Sequence, residues 1–219
     1  MPLRLCWSRT VTEPHYLTLD QLLDRALSDR SVEVELHRRY SRQAAVVVVD
    51  FTGMVHRTDH DGIIYALALA RAAENQMRPA VLEHHGEVVK RVADSFFAVF
   101  PTATDALSAA LDGRVALAEF NQDRSGHIGD GTRTDAIHAC IGLGFGATLI
   151  IPGDNLYGAE VNRAFVLGED TANAGEMLCT SAFLDSLGPP PAGVGAHQVP
   201  RNRRDTVGFE FHQLTDFRA

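Results

Sequence analysis

A chain of 219 residues and 23.9 kDa, 45% hydrophobic and 22% charged, is long enough for one sizeable core with an extension and short for two full domains. Its formal charge of −8 gathers no polyanion, so nucleic-acid binding is disfavoured as the main activity. No apolar run approaches the ~18 residues of a membrane span and no charged-then-apolar leader opens the chain, so a cytoplasmic protein without a membrane span is expected.

The first 43 or so residues read as a small N-terminal helical extension: Leu19 to Leu27 has helical apolar spacing behind a cap at Thr18, and a charged stretch follows to Arg42. Residues 44–219 form the second region. Ala44 to Asp50 is a short β-branched run, the pattern of a strand buried on both faces, and it ends on a carboxylate. After the turn Phe51-Thr52-Gly53-Met54, the Ala- and Leu-rich segment from about Asp61 to His85 predicts a core-facing helix, with Pro79 requiring a kink or turn. Glu87–Asp94 and Ser95–Phe100 predict a hairpin with Asp94 at its tip. Thr102 to Phe120 predicts another helix and Asn121 to Thr134 a polar loop. Ile137 to Ile151 predicts two strands joined through glycines, Val161–Leu167 and Gly175–Leu187 read as helical or mixed, and Gly208 to Leu214 closes the chain as a strand. Strands arriving in hairpin pairs between helices predict an α+β sandwich rather than a doubly wound sheet.

Asp50 and Asp94 lie side by side if their strands are neighbours, which makes a site for a hard divalent cation; taken separately, each carboxylate also fits a turn cap or a solvated strand end. Gly53 ahead of a helix lets backbone N–H groups approach phosphates. Cys6, Cys140 and Cys179 are widely spaced with no CxxC pair, which argues against a disulfide framework and a structural zinc site. Cys140 reads as a buried, inert thiol, and the ten histidines show no ligand spacing that fixes a transition metal. Tyr157 and Phe165 suit either stacking on a base or core packing.

Four ordered blocks carry a resemblance. Asp50-Phe-Thr-Gly-Met54, Gly86-Glu-Val-Val-Lys-Arg-Val-Ala-Asp-Ser95, Ile141-Gly-Leu-Gly-Phe-Gly146 and Gly153-Asp-Asn-Leu-Tyr-Gly-Ala-Glu-Val-Asn162 resemble the signature blocks of the class III nucleotide cyclase catalytic domain, over roughly residues 44 to 214. The resemblance implies a ferredoxin-like α+β fold, with an antiparallel-rich sheet flanked by helices, working as a head-to-tail homodimer on a nucleoside triphosphate. It implies two Mg²⁺ or Mn²⁺ ions per active site on Asp50 and Asp94 with Phe51 beside them, phosphates on Thr52, Gly53 and Met54, base reading by Lys90 and Asn155, and ribose orientation by Asn162.

Two positions depart from that pattern. Asn155 stands where adenylate cyclases carry Asp or Thr, so the purine-reading pair is broken, and Val166 occupies the place of the transition-state arginine. Arg163, and the basic cluster Arg201, Arg203 and Arg204 in the position of a phosphate-binding loop, are the candidate replacements, with Arg203 chosen for the phosphate role; a solvated charged loop is the alternative. An amide at Asn155 both donates and accepts, which suits the carbonyl-rich edge of uracil or cytosine. The chain thereby resembles the stand-alone bacterial pyrimidine cyclases of anti-phage defence, which implies UTP first, or CTP, as substrate and a separate effector for the cyclic nucleotide. Cyclic AMP is the alternative product because Lys90 is retained, and a degenerate nucleotide-binding module is the alternative to an enzyme. Joint presence of Asp50 and Asp94 favours the enzyme, since paired carboxylates repel unless a cation joins them.

Overall fold

The computed structural model describes residues 18–125, 136–151 and 154–216, in two units, 1–40 and 41–219. In the first unit α1 (Leu19–Ala26) begins in a reciprocal capping box: Thr18 Oγ1 accepts from the Gln21 amide and Gln21 Oε1 accepts from the Thr18 amide. Helix α2 (Arg30–Tyr40) follows, with Asp29 Oδ1 accepting from the Ser31 amide at its start. Cys6 lies outside the described residues.

The second unit runs β1 (Ser41–Phe51), α3 (Met54–Asp61), α4 (Ile63–Glu83), β2 (Glu87–Val92), β3 (Ser95–Phe100), α5 (Ala103–Ser125), β4 (Ala139–Ile151), β5 (Asn155–Tyr157), α6 (Ala159–Phe165), a π-helix (Val166–Thr171), β6 (Met177–Thr180), α7 (Ser181–Leu187), β7 (Val194–Gln198), α8 (Arg201–Arg204) and β8 (Phe211–Asp216). The strands form one sheet in the order β2-β3-β1-β4-β6-β8-β7, with β5 beside the far end of β4. All described pairings are antiparallel except β4 with β6. The α+β expectation therefore holds, with helices on an antiparallel-rich sheet.

Alternation along β1 sends Ala45, Val47, Val49 and Phe51 to one face and Ala44, Val46 and Val48 to the other. The first face meets Leu69, Ala73 and Met77 of α4 and Leu107, Ala110 and Leu111 of α5. The second meets Val161 and Ala164 of α6. A strand covered on both faces reads as a continuous apolar run, the pattern seen at Ala44–Val49.

Several sequence expectations are corrected. The 137–151 region is one 13-residue strand, not two, because Gly142, Gly144 and Gly146 fall on a single face while Ile141, Leu143 and Phe145 serve the other. Strand β1 begins at Ser41, since Ser41, Arg42 and Gln43 pair with Leu149, Thr148 and Ala147 of β4. Pro79 sits inside the uninterrupted α4; it and Asn75, whose carbonyl loses its helical donor, are both exposed, so water takes that carbonyl. The helix expected over Asp61–His85 is α4, with a separate short helix, α3, before it across Gly62, and Gly175–Leu187 contains β6 followed by α7. Helix α5 extends through Asn121 to Ser125, and most of the expected 121–134 loop lies outside the described residues.

The glycine stripe fixes α6. A Cβ on Gly142 would overlap the Ala164 carbonyl and the Gly168 amide, and one on Gly144 would overlap the Glu160 carbonyl. Two strand residues rise about 6.7 Å and four helix residues about 6.0 Å, so the strand spacing of two matches the helix spacing Glu160, Ala164, Gly168. Gly142→Ala is expected to cost about 1–3 kcal/mol through overpacking, read by calorimetry as a Tm lowered by roughly 2–12 °C; an unchanged Tm would mean that helix and strand do not touch there.

Candidate active site

Strand β1 carries Asp50 to the end of the sheet, and the β2–β3 turn carries Asp94 to the same end, because β3 pairs with β1 in the register Val49 to Phe96. The turn is tight, with Ala93 at φ 51°. Ser95, buried at the first position of β3, donates its hydroxyl to Asp50 Oδ1 at 3.0 Å. Burial pushes the Asp50 carboxyl up to about 6 against that bond, helped by the negative charges of Asp94 and Glu169.

Glu169 is the residue sequence reasoning missed. Gly168 packs on the Gly142 amide and the Val48 carbonyl, so the π-helix delivers the next residue to the sheet end where Asp50 lies. Burial, with the charges of Asp94 and Asp170, raises the Glu169 carboxyl against the lowering effect of Ser95. The sequence signal available was a charged residue three positions beyond Val166, in a segment whose π-helical turn no periodicity reveals; such turns concentrate at functional sites.

Beside the carboxylates, the Phe51–Met54 turn is held by two bonds to β4's approach. The Thr52 amide donates to the His138 carbonyl at 2.9 Å, and Arg57 of α3 donates from Nη1 to the Thr52 carbonyl at 2.9 Å and from Nη2 to the Ala136 carbonyl at 2.7 Å. Gly53 takes φ 77°, a value that favours glycine, and leads into the N-terminal turn of α3, which starts at Met54.

A second group sits on β2 and β5. A register shift between Val88 and Lys90 re-aims β2, and Lys90 Nζ donates to Asn155 Oδ1 at 3.2 Å while lying 5.7 Å from the Phe97 ring centre. Asn155 Oδ1 also accepts from the Leu156 amide at 2.9 Å, and Asn155 Nδ2 donates to the Tyr157 hydroxyl at 3.1 Å. The reverse amide orientation would set an NH₂ against two donors, so chemistry fixes this one. Phe165 stacks at 6.0 Å on Phe97, on the same face.

The remaining sequence candidates are placed elsewhere. Asn162 is on the exposed side of α6, and Val166, one turn on, is half-buried at the start of the π-helix. Arg163 is committed to the buried Glu160 carboxylate, whose other oxygen accepts from Thr180 Oγ1, and it lies 5.7 Å from the Phe209 ring centre. Arg203 is committed too: its guanidinium binds both Glu176 oxygens and the Thr171 carbonyl, which holds Glu176 well below the usual carboxylate range. Nothing in the described geometry brings either arginine to Asp50. Gly153, the first residue of the fourth sequence block, lies outside the described residues.

Divalent cations fit this donor set. Burial and three mutually repelling carboxylates leave negative charge that hard cations neutralise, and the donors are all oxygen. Among the described residues no group of three or more His, Cys, Asp or Glu side chains is arranged to hold a metal ion by itself.

No family model and no curated protein matches the chain. Solved structures do. The adenylyl cyclase CyaB from P. aeruginosa is 18% identical over 81% of this chain and 96% of that chain, with a TM-score of 0.62. The adenylate/guanylate cyclase/hydrolase from Silicibacter pomeroyi is 20% identical over 80% and 95%, with a TM-score of 0.58. A non-canonical dimeric guanylyl cyclase domain of the RhoGC fusion protein from the aquatic fungus Blastocladiella emersonii is 14% identical over 82% and 99%, with a TM-score of 0.62. The fold expected from the four sequence blocks is thus the fold of class III cyclase catalytic domains.

Cys140 pairs with Asp50 across β1 and β4, and burial with the charges of Asp50, Glu176 and Glu169 pushes its thiol up to about 11; burial alone pushes Cys179 up to about 12. At pH 8 a thiol of pKa 11 is ~0.1% ionised. Cys140 and Cys179 are therefore expected to resist a thiol-disulfide reagent in the native protein for hours and to react within minutes in denaturant. Prompt native labelling of either, located by peptide mass, would contradict their burial.

Proposed function

We propose that this protein is a nucleotide cyclase converting a nucleoside triphosphate to its 3′,5′-cyclic monophosphate and pyrophosphate, with UTP preferred and CTP second. The observation that carries the reaction type is the convergence of Asp50, Asp94 and the Phe51–Met54 turn at one end of a class III cyclase sheet. Asp50 and Asp94, with the Phe51 carbonyl beside them, would hold two Mg²⁺ or Mn²⁺ ions. When bound, such ions neutralise the triphosphate and ease loss of the ribose 3′-hydroxyl proton. Ser95 holds Asp50 through one carboxylate oxygen, Oδ1. The Gly53 and Met54 backbone offers N–H groups at a helix start to the phosphates, with Thr52, whose own amide is held by His138, beside them. Asn162, exposed on α6, would orient the ribose in the site of a second copy, in keeping with a head-to-tail homodimer. A guanylyl cyclase domain among the similar structures pairs as a non-canonical dimer, which supports association of two copies but not the head-to-tail arrangement.

Base choice follows from the hydrogen bonds of Asn155. Its carbonyl oxygen already accepts from Lys90 and Leu156, and Tyr157 accepts from its amide, so the groups left over are mainly donors: Lys90 N–H, the second Asn155 N–H and the Tyr157 O–H. Adenine requires an acceptor for its 6-amino group, and with the Asn155 carbonyl filled this group has only a Tyr157 lone pair to give it. Uracil presents two carbonyls. Failing to pair a polar base edge in a dry site costs large factors in kcat/KM. The donor-rich edge thus supports uracil, with two carbonyls, first, cytosine, with one carbonyl and one amino group, second, and adenine, with no carbonyl, last. On this reading the cyclic pyrimidine is a second messenger for a separate effector, the role implied in anti-phage defence by the resemblance.

Adenylate cyclase activity is the second reading, favoured by Lys90 alone; the degenerate binding module is the third, favoured by Val166.

Incubation with ATP, GTP, CTP and UTP, each with Mg²⁺ and with Mn²⁺, is expected to yield cyclic UMP as the main product by chromatography. A preference for ATP of about tenfold or more in kcat/KM would overturn the pyrimidine assignment, and no product from a folded protein would overturn the enzyme reading. Asn155→Asp restores an acceptor beside Lys90 and is expected to shift the ATP-to-UTP ratio toward ATP by about tenfold. Asp50→Asn and Asp94→Asn are each expected to abolish turnover and weaken Mn²⁺ binding measured by electron paramagnetic resonance. Removing Asp50's buried charge relieves repulsion, so its Tm should hold or rise. Full turnover in either variant would remove it from the site.

A further inference from the structure

Resting on the phosphate site just proposed, we infer that Arg57 is a phosphate-binding residue, the buried positive charge directly beneath the Thr52–Met54 turn, and that it takes a polyphosphate anion. Arg57 is only 8% exposed. Among the described residues, the guanidiniums of Arg71 and Arg91 face Glu74, that of Arg163 faces Glu160 and that of Arg203 faces Glu176. Arg57 has no carboxylate partner among the described residues; two carbonyls, Thr52 and Ala136, orient it without neutralising it, and its Nε–H is buried with no partner. An arginine stays ionised when buried, so an unpaired guanidinium there is costly unless an anion completes it.

The route to that anion is Gly53. A Cβ on Gly53 would overlap Arg57 Nη1, so only the glycine Cα separates the guanidinium from the exposed surface of the turn. An anion resting on the amides that open α3 therefore lies one residue's thickness from a charge shielded from water, where attraction is far less screened than at the surface. This supplies in the same chain part of the cationic field that Val166 does not, and which Arg163 and Arg203 are not placed to give.

A purely mechanical part, joining Thr52 to Ala136, is the competing role, and charge distinguishes the two. The full chain labelled with ¹⁵N-arginine is titrated with inorganic tripolyphosphate in the presence of Mg²⁺, with the Arg57 Nε–H resonance assigned by its loss in Arg57→Lys. Expected are a shift of that resonance on saturation, an affinity for tripolyphosphate lowered about tenfold or more in Arg57→Met, and one lowered by less than about threefold in Arg57→Lys, which keeps the charge and loses the fork. If Arg57→Met does not fold, the wild-type resonance and Arg57→Lys decide. No shift at saturation, no tripolyphosphate binding by the wild type, a folded Arg57→Met that binds as tightly as wild type, or Arg57→Lys losing about tenfold or more, would each overturn the inference. Tripolyphosphate binding through Arg57 by a protein that cyclises none of the four nucleotides would sustain this inference and overturn the cyclase reading, so the two fail separately.

Discussion

Contact between one helix and one strand without side chains between them is the constraint from which the site follows. Gly142, Gly144 and Gly146 strip one face of β4, and the backbone of α6 and the π-helix settles onto it at Glu160, Ala164 and Gly168. Helix and sheet ordinarily stand about 10 Å apart, with side chains filling the gap. Here the close approach fixes the rotation and height of α6, which decides that Glu160 is buried, that Asn162 faces outward and that Glu169 reaches the carboxylates. It also explains why Arg163, next to Asn162 in sequence, serves Glu160 and Phe209 instead of the site.

Charge is the second organising feature. The sheet end gathers Asp50, Asp94 and Glu169, and their mutual repulsion and burial hold the Asp50 and Glu169 carboxyls above the ordinary range. A folded protein keeps such a cluster at a cost in stability, the kind of cost that concentrates at functional sites. At the neighbouring turn lies Arg57, a buried cation held, among the described residues, by two carbonyls. Excess negative charge on one side of the turn and excess positive charge beneath it match a ligand that brings both metal cations and phosphate anions.

The group proposed to read the base works on a different principle. Charge is secondary there, and the count of free donors and acceptors matters: three side chains and one backbone amide satisfy each other so that the Asn155 carbonyl is filled and mainly donors are left over. Tyr157 enters this group only through its bond to Asn155, although two residues apart on a three-residue strand they were bound to share a face.

Much of the fold was legible in the sequence, and the legible parts share a cause. Ala44–Asp50, the hairpin around Asp94 and the long apolar helices are set by local periodicity and turn chemistry, so β1, the β2–β3 hairpin, α4 and α5 appear near their expected places. The four ordered blocks likewise placed Asp50, Asp94, Lys90 and Asn155, because those residues sit at strand ends or on strands whose order the blocks encode. Long-range partners were out of reach. Three glycines two apart read as breaks between strands until a helix is seen lying on them, and a π-helical turn has no periodicity of its own. Only the tertiary structure could commit Arg163 to Glu160 and Arg203 to Glu176, bring Glu169 to Asp50, and leave Arg57 buried without a counter-ion among the described residues. The sequence by itself determined which chemical groups stand on which strand ends, since a strand's faces follow from a period of two. Which charges are paired and which remain for a ligand was decided by packing, since pairing depends on residues distant in the chain meeting at one point.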